Sequence, residues 1–252
     1  MSGRDAPAMT APLRVRIVGN GRAGGSFARA LRSAGWVVDI HGREVDPSTV
    51  TASVDLVLLC VPDAAVAPLA ARLTPDDTVV IAHCAGSLGL DVLEPAPRRA
   101  SVHPLVSLAD TERGAAALRG AWFAVAGDPM ARRVVQTLHG TAVEVGDDER
   151  VQYHAAAVIA SNHLVALMGQ LERVAESSGV PLVAFLELMR GTIDNVEQMG
   201  VAAALTGPVA RGDWDTVRRH IEALDPQERA AYRELASSAA RLVDRPVPEL
   251  DT

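Results

Sequence analysis

From Leu13 onward, short apolar runs alternate with amphipathic stretches, and after Gly146 the short runs stop. Leu13–Val18 (LRVRIV) alternates and is β-branched, which predicts a strand. Gly25–Ala34 (GSFARALRSA) puts Phe27, Ala30, Leu31 and Ala34 on one helical face, and Gly35 ends it. Trp36–His41 (WVVDIH) is a second strand candidate. Asp55–Val61 (DLVLLCV) and Asp77–Ala82 (DTVVIA) are continuous apolar runs, as expected for strands buried on both faces of a parallel sheet. The spacing predicts a helix over Ala64–Leu73 and a short one over Leu88–Leu93. Further strands are predicted at Ala100–Pro104, Ala121–Ala126 and Thr141–Val145, with a helix at Ala131–Leu138 before the last. This alternation predicts an α/β fold built on a doubly wound parallel sheet.

Beyond Gly146-Asp147-Asp148 the period becomes helical. Gln152–Ser177 reads as one long helix, and Pro181 opens another that runs to Met199 with Gly191 weakening its middle. Leu205–Pro208 and Arg211–Asp213 read as a loop. Asp213 caps a helix over Trp214–Leu224, and Asp225-Pro226 starts a last one that reaches Val243. The expected organisation is a disordered start over residues 1–12, a nucleotide-binding domain over 13–147, and an all-helical domain over 148–252 that serves substrate binding and dimerisation.

The glycines at 19, 21 and 24 form a G-x-G-x-x-G pattern between the first predicted strand and helix. That context marks a Rossmann-like dinucleotide corner: the first glycine turns, the second admits a pyrophosphate, and the third lets the helix pack closely. The loop Gly19, Asn20, Gly21, Arg22, Ala23 and Gly24 is therefore expected to hold the cofactor phosphates at the helix N-terminus. The second strand ends Ile40-His41-Gly42-Arg43, with Gly where an NAD site carries a carboxylate and Arg next to it. A guanidinium there suits a 2′-phosphate, so NADP is expected over NAD.

Composition removes several classes. A net charge of −7 without a basic cluster argues against nucleic acid. No apolar run reaches membrane-spanning length, and residues 1–12 lack the apolar core of a signal peptide. Cys60 and Cys84 form no metal or redox spacing and are expected as buried thiols of a cytoplasmic protein. The histidines show no metal-ligand spacing. All 24 basic residues are arginine. Since arginine keeps its proton, any proton donor must be His, Tyr, Asp, Glu, Cys or water.

Ligands of an open α/β sheet gather at the carboxyl ends of its strands. Val61, Pro62 and Asp63 fall there, with Val61 and Pro62 expected against a nicotinamide ring. Ser87 either binds a substrate carboxylate or caps its own turn. His103, held extended before Pro104, either donates to a developing alkoxide or ties backbone. On the long helix, ideal geometry puts His154 and Ser161 on nearly the same face, with Asn162 about 80° round. His154 as acid and Asn162 as carbonyl anchor satisfy the needs of carbonyl reduction; the alternative is an interdomain His154 with the alanines as tight packing. Asn195 brings a further amide, and Arg211 is the candidate carboxylate clamp.

The stretches Ile17–Gly24, DLVLLCVPD (Asp55–Asp63), VHPL (Val102–Leu105), YHAAAVIASNHL (Tyr153–Leu164) and LTGPVARGD (Leu205–Asp213) resemble a bacterial two-domain family. That family joins a Rossmann-like half to a C-terminal domain of unknown function and is related to the β-hydroxyacid dehydrogenases. The resemblance implies NADPH-dependent reduction of a small 2-oxo acid, ketopantoate first, in the cleft between the domains; the alanine-rich helices suggest a homodimer joined through the helical domain. Familiar ketopantoate reductases use a lysine that this chain lacks. YHAAAVIASNHL and VHPL are also similar to prephenate dehydrogenase motifs. An enzyme acting on an imine or a prephenate-like acid, and a nucleotide-binding sensor without turnover, stay open as alternatives.

Overall fold

The computed structural model describes residues 11–42 and 44–250. Seven strands form one sheet: β1 (Arg14–Val18), β2 (Val37–His41), β3 (Leu56–Leu59), β4 (Val80–His83), β5 (Arg99–Pro104), β6 (Trp122–Gly127) and β7 (Thr141–Glu144). Their order is β2-β1-β3-β4-β5-β6-β7. All pairs are parallel except β5–β6. The sheet carries α1 (Arg22–Ser33), α2 (Asp63–Ala70), α3 (Thr111–Ala117) and α4 (Met130–Thr137), followed by α5 (Arg150–Val158).

The continuous apolar runs are explained by cover on both faces. Val15, Ile17, Leu56, Leu58, Val80, Ala82, Ala100 and Val102 pack with Phe27, Leu31, Ala115, Leu118 and Val134. The alternate positions Val57, Leu59, Val79 and Ile81 pack with Val66, Ala70 and Leu93. Burial of this kind is worth about 1.5–3 kcal/mol per large aliphatic side chain. A polar residue at either parity of β3 therefore opens a hole in one layer or the other.

Three details of the sheet, its connections and the long helix differ from the sequence expectation. First, β6 runs antiparallel to β5. The segment between them holds α3, which packs on α1 through Gly114 against Ser26 rather than crossing the sheet. Without a crossover the chain returns reversed. Second, the helix expected over Leu88–Leu93 is only a single 3-10 turn at Asp91–Leu93. Third, the long helix is interrupted: α5 ends at Val158, a π turn spans Ile159–His163, and α6 (Leu164–Glu176) resumes the α geometry.

The chain divides into two compact units, residues 1–161 and 162–252. The boundary falls inside the π turn, so α5 belongs with the sheet. The second unit contains α6, α7 (Leu182–Met199), α8 (Val201–Ala204), α9 (Pro208–Arg211), α10 (Trp214–Ala223) and α11 (Pro226–Arg241). The stretch expected as loop around Pro208 thus includes one helical turn. Asp213 caps α10 by accepting from the Thr216 amide, and Asp225 caps α11 by accepting from Gln227. Val209, Val217, Ile221, Ala236, Ala240 and Leu250 form this unit's core. Arg173 pairs with Glu228 at 2.5 Å and joins α6 to α11. The eighteen-residue α7 has no buried residue at all. Among the described residues no helix is long and apolar enough to cross a membrane.

Candidate functional site

The sheet reverses its winding between β1 and β3, and the glycine loop sits at that switch point. Gly19 has φ +110°, and a side chain there would strike the carbonyl of Cys60, whose carbon is 2.7 Å from the built Cβ. At Gly24 an added Cβ would strike the Gly19 carbonyl, with that carbon 2.9 Å away. Gly21 meets nothing within 4 Å. Two glycines therefore keep loop, strand and helix in contact, and the middle one faces open space where a phosphate can approach backbone. Gly21 is also the N-cap of α1, with no side-chain cap and no acidic residue in the first turn. The helix-end N–H groups there are left for an anion. Arg22 and Ala23 form the first turn itself, three residues earlier than the sequence suggested.

At the end of β2, Gly42 faces the Asn20 side chain, with a built Cβ 3.4 Å from Nδ2. Asp39, the acid of that strand, is committed elsewhere. It accepts from Arg16 Nε at 3.0 Å and lies 2.8 Å from His41 Nε2. The His41 hydrogen bond is the main reason its carboxyl is held below the usual carboxylate range. Arg43 lies outside the described residues.

Beyond β3, Val61 is half-buried, Pro62 is the N-cap of α2, and Asp63 opens that helix. The Ser87 hydroxyl donates to Asp63 Oδ2 at 3.2 Å, which ties the loop after β4 to the loop after β3. His83, the last residue of β4, is fully buried, and its Nε2 lies 3.1 Å from the Gly89 carbonyl. Burial holds this imidazole below the usual histidine range.

The densest chemistry lies between β5 and α5, wholly within the first unit. His103 Nδ1 is 2.6 Å from the Tyr153 hydroxyl. The His154 ring stands edge-on to His103, with centroids 5.8 Å apart at 81°. Both imidazoles lie over Gly86: a built Cβ there would be 2.9 Å from His103 Nε2 and 3.0 Å from His154 Cε1. Any side chain at position 86 would displace them. Burial, then the nearby His154 and Arg150, push His103 down to about 4. Burial pushes Tyr153 up to about 12, against the opposing charge of Arg150. Near neutral pH the phenol is protonated and the imidazole neutral. In the tautomer that accepts the Tyr153 hydroxyl at Nδ1, the His103 ring proton is on Nε2, the nitrogen that lies over Gly86.

His103 and His154 were expected from the sequence, and the structure brings them together. Tyr153 was not singled out there, although in a lysine-free chain a tyrosine beside His154 is a ready proton source. Arg150, Tyr153, His154 and Ala157 follow the i, i+3, i+4, i+7 rule of one helical face, which is the signal that was available. The uniform 100° spacing from His154 to Ser161 and Asn162 does not hold, because the π turn contains both later residues. Ser161 Oγ donates to the Ala157 carbonyl at 2.8 Å. Asn195 is exposed on α7, and Arg211 is exposed at the end of α9. Among the described residues no group of three or more His, Cys, Asp or Glu side chains is placed to hold a metal.

Residues 122–239 match a family model described as a domain of unknown function (DUF2520). A search of curated proteins finds no match. Among solved structures, a Bacteroides fragilis protein provisionally described as an NADP oxidoreductase superposes with TM-score 0.77 at 19% identity, covering 91% of this chain and 98% of that one. Protein TM1727 of Thermotoga maritima superposes with TM-score 0.71 at 26% identity, again covering 91% and 98%. A pyrroline carboxylate reductase from Plasmodium falciparum with NADP bound gives TM-score 0.61 at 11% identity, covering 92% and 98%. These likenesses establish a Rossmann-like fold with a helical C-terminal part.

Proposed function

We propose that this chain is an NADPH-dependent oxidoreductase that reduces the carbonyl of a small 2-oxo acid, with ketopantoate the first candidate. The observation that carries the reading is the hydrogen-bonded pair Tyr153–His103, with His154 beside it, at the ligand edge of the sheet that also carries the glycine cradle. The residues at that cradle fit a dinucleotide: open space at Gly21, free helix-end amides, and a β2 end without an uncommitted carboxylate. The positive charge of Arg43 supports NADP over NAD.

Bound nicotinamide would supply the hydride, and the chain handles the charge that this leaves on the substrate oxygen. His103 Nε2–H donates to the developing alkoxide and then delivers its proton. Tyr153 replaces that proton at Nδ1, and the phenolate recovers its own from solvent. His154 is a second polar group at the same oxygen. A tyrosine near 12 is a weaker acid than most donors but stronger than an alcohol, so the transfer runs downhill.

A second reading, reduction of a cyclic imine, is favoured by the pyrroline carboxylate reductases among the similar folds. The chain is also proposed to work as a homodimer joined through its helical domain, because α7 exposes Val183, Leu188 and Ile193 and buries nothing of its own. Two free cysteines favour a cytoplasmic setting.

The test is NADPH oxidation across 2-oxo acids and cyclic imines, with Tyr153→Phe alongside the parent protein. At least one acid is expected to turn over. The variant is expected to lose about a hundredfold in kcat while its NADPH fluorescence titration is unchanged. Turnover of imines alone selects the second reading. NADPH binding with no turnover of any substrate leaves a sensor, and full activity in the variant removes the Tyr153–His103 relay.

A further inference from the structure

Arg150 opens α5 and has no exposed surface. None of its three guanidinium nitrogens has a hydrogen-bond partner. Asp147 and Glu144 are near enough to favour its charge, yet neither is hydrogen-bonded to it, and Glu144 is paired with Arg132. Buried charges in proteins are ordinarily paired. A lysine so placed would shed its proton, but an arginine keeps it. Among the described residues this guanidinium is therefore a buried cation with no hydrogen-bonded counter-ion.

The remaining buried side-chain atoms without partners, among the described residues, are His83 Nδ1, Ser101 Oγ and His154 Nδ1. They belong to the same neighbourhood. His83 and Ser101 face each other in the β4–β5 register, and His154 follows Arg150 by one turn. The charge of Arg150 is felt at both His83 and His103. Unmet hydrogen-bonding capacity is thus concentrated on one wall, beside the proposed proton relay.

We infer that Arg150 holds the carboxylate of the substrate, gripping both oxygens with its planar fork. The inference rests on the reductase reading for the position of the reacting carbonyl, and it deepens that reading by naming the residue that holds the acid's carboxylate. A carboxylate offers two coplanar acceptors at the spacing of two guanidinium N–H groups. The Ser101 hydroxyl is a further donor on that wall. Tyr153 and His154, half-buried on the same helical face, stand beside it and place that carboxylate next to the proton relay. Arg211, the clamp expected from the sequence, is an exposed residue of α9.

The experiment uses the full chain and three probes: oxamate, its neutral amide oxamide, and inorganic phosphate. Each is followed by calorimetric titration and thermal melting, with and without NADPH, in the parent protein and in Arg150→Met and Arg150→Lys. Oxamate is expected to bind and raise the melting temperature of the parent, whereas oxamide and phosphate do neither. Arg150→Met is expected to weaken oxamate binding about ten- to a hundredfold, the loss of charge-assisted hydrogen bonds. Arg150→Lys, which keeps the charge and loses the fork, falls between. Without ligand, Arg150→Met is expected to melt no lower than the parent, because it removes an unpaired buried charge and keeps the volume. A lower ligand-free melting temperature assigns Arg150 a structural role and overturns the inference. So does parent-like oxamate binding in Arg150→Met, the absence of oxamate binding in the parent, or a preference for phosphate. NADPH affinity is read in the same titrations, so loss of cofactor binding sinks the reductase reading separately.

Discussion

Replacing Gly21 by alanine should separate cofactor binding from stability, and Gly24→Ala should couple them. Gly21 has φ −72°, which alanine adopts without strain. A Cβ there touches nothing within 4 Å. The gain from a less flexible unfolded chain, about 0.4–1 kcal/mol, is offset by the preference of helix N-caps for glycine over alanine, about as large. Urea melting should therefore move by less than about 0.5 kcal/mol. The methyl group stands where a phosphate must approach the helix-end amides. Losing one charge-assisted bond, worth about 1.5–3 kcal/mol, weakens NADPH about ten- to a hundredfold by fluorescence titration. Gly24 differs because its Cβ would run into the Gly19 carbonyl, which is backbone and cannot swing away. Its alanine should cost about 1–3 kcal/mol or more in stability and lose the cofactor as a consequence. Parent-like NADPH affinity in a stable Gly21→Ala protein would falsify the placement of the phosphates. An unchanged melt for Gly24→Ala would refute the packing argument.

Two further outcomes are expected. His103 is pushed from its usual 6.5 down to about 4, mainly by burial. As pH falls the unfolded chain takes up this proton first, so the stability it contributes is complete above pH 6.5 and is lost as pH falls through 4. At 1.36 kcal/mol per unit this is at most about 3.4 kcal/mol. His103→Asn should flatten that part of a pH series of urea melts, and an unchanged slope would mean the imidazole is not held neutral. For the dimer, sedimentation should give twice the chain mass for the parent and the single chain mass for Leu188→Asp, since Leu188 is 67% exposed on α7. A monomeric parent protein leaves that apolar face to another partner.

Much of the sheet was legible because β3 and β4 are buried on both faces and carry the apolar runs that such burial demands. The glycine corner was legible because Gly19 and Gly24 answer local steric needs and Gly21 leaves the helix end open, all within six residues of sequence. What escaped depends on distant partners. The α3 helix is a short alanine-rich segment without a strong apolar stripe, and only its fit between Gly114 and Ser26 explains its place. Tyr153 acquires its chemistry from His103, fifty residues earlier, and the helical-face pattern around it marks its position but not that partner. Arg150 reads locally as one more solvated charge in DDER, and only the folded chain buries it. The π turn has no signature in IASNH, so a uniform helical wheel misplaces Ser161 and Asn162.

The five-strand parallel block sorts the connections of its chain by edge. The loops after β1, β3, β4 and β5 gather at one rim, while the α2–β4 connection, residues 71–79, returns along the other. Its turn is closed locally, with Asp76 accepting from the Thr78 amide and hydroxyl. A fluorophore, an affinity handle or an inserted reporter domain at Asp77 would therefore stand a strand's length from the glycine corner. The chain could be tethered there for biosensing or single-molecule work with its ligand rim left clear.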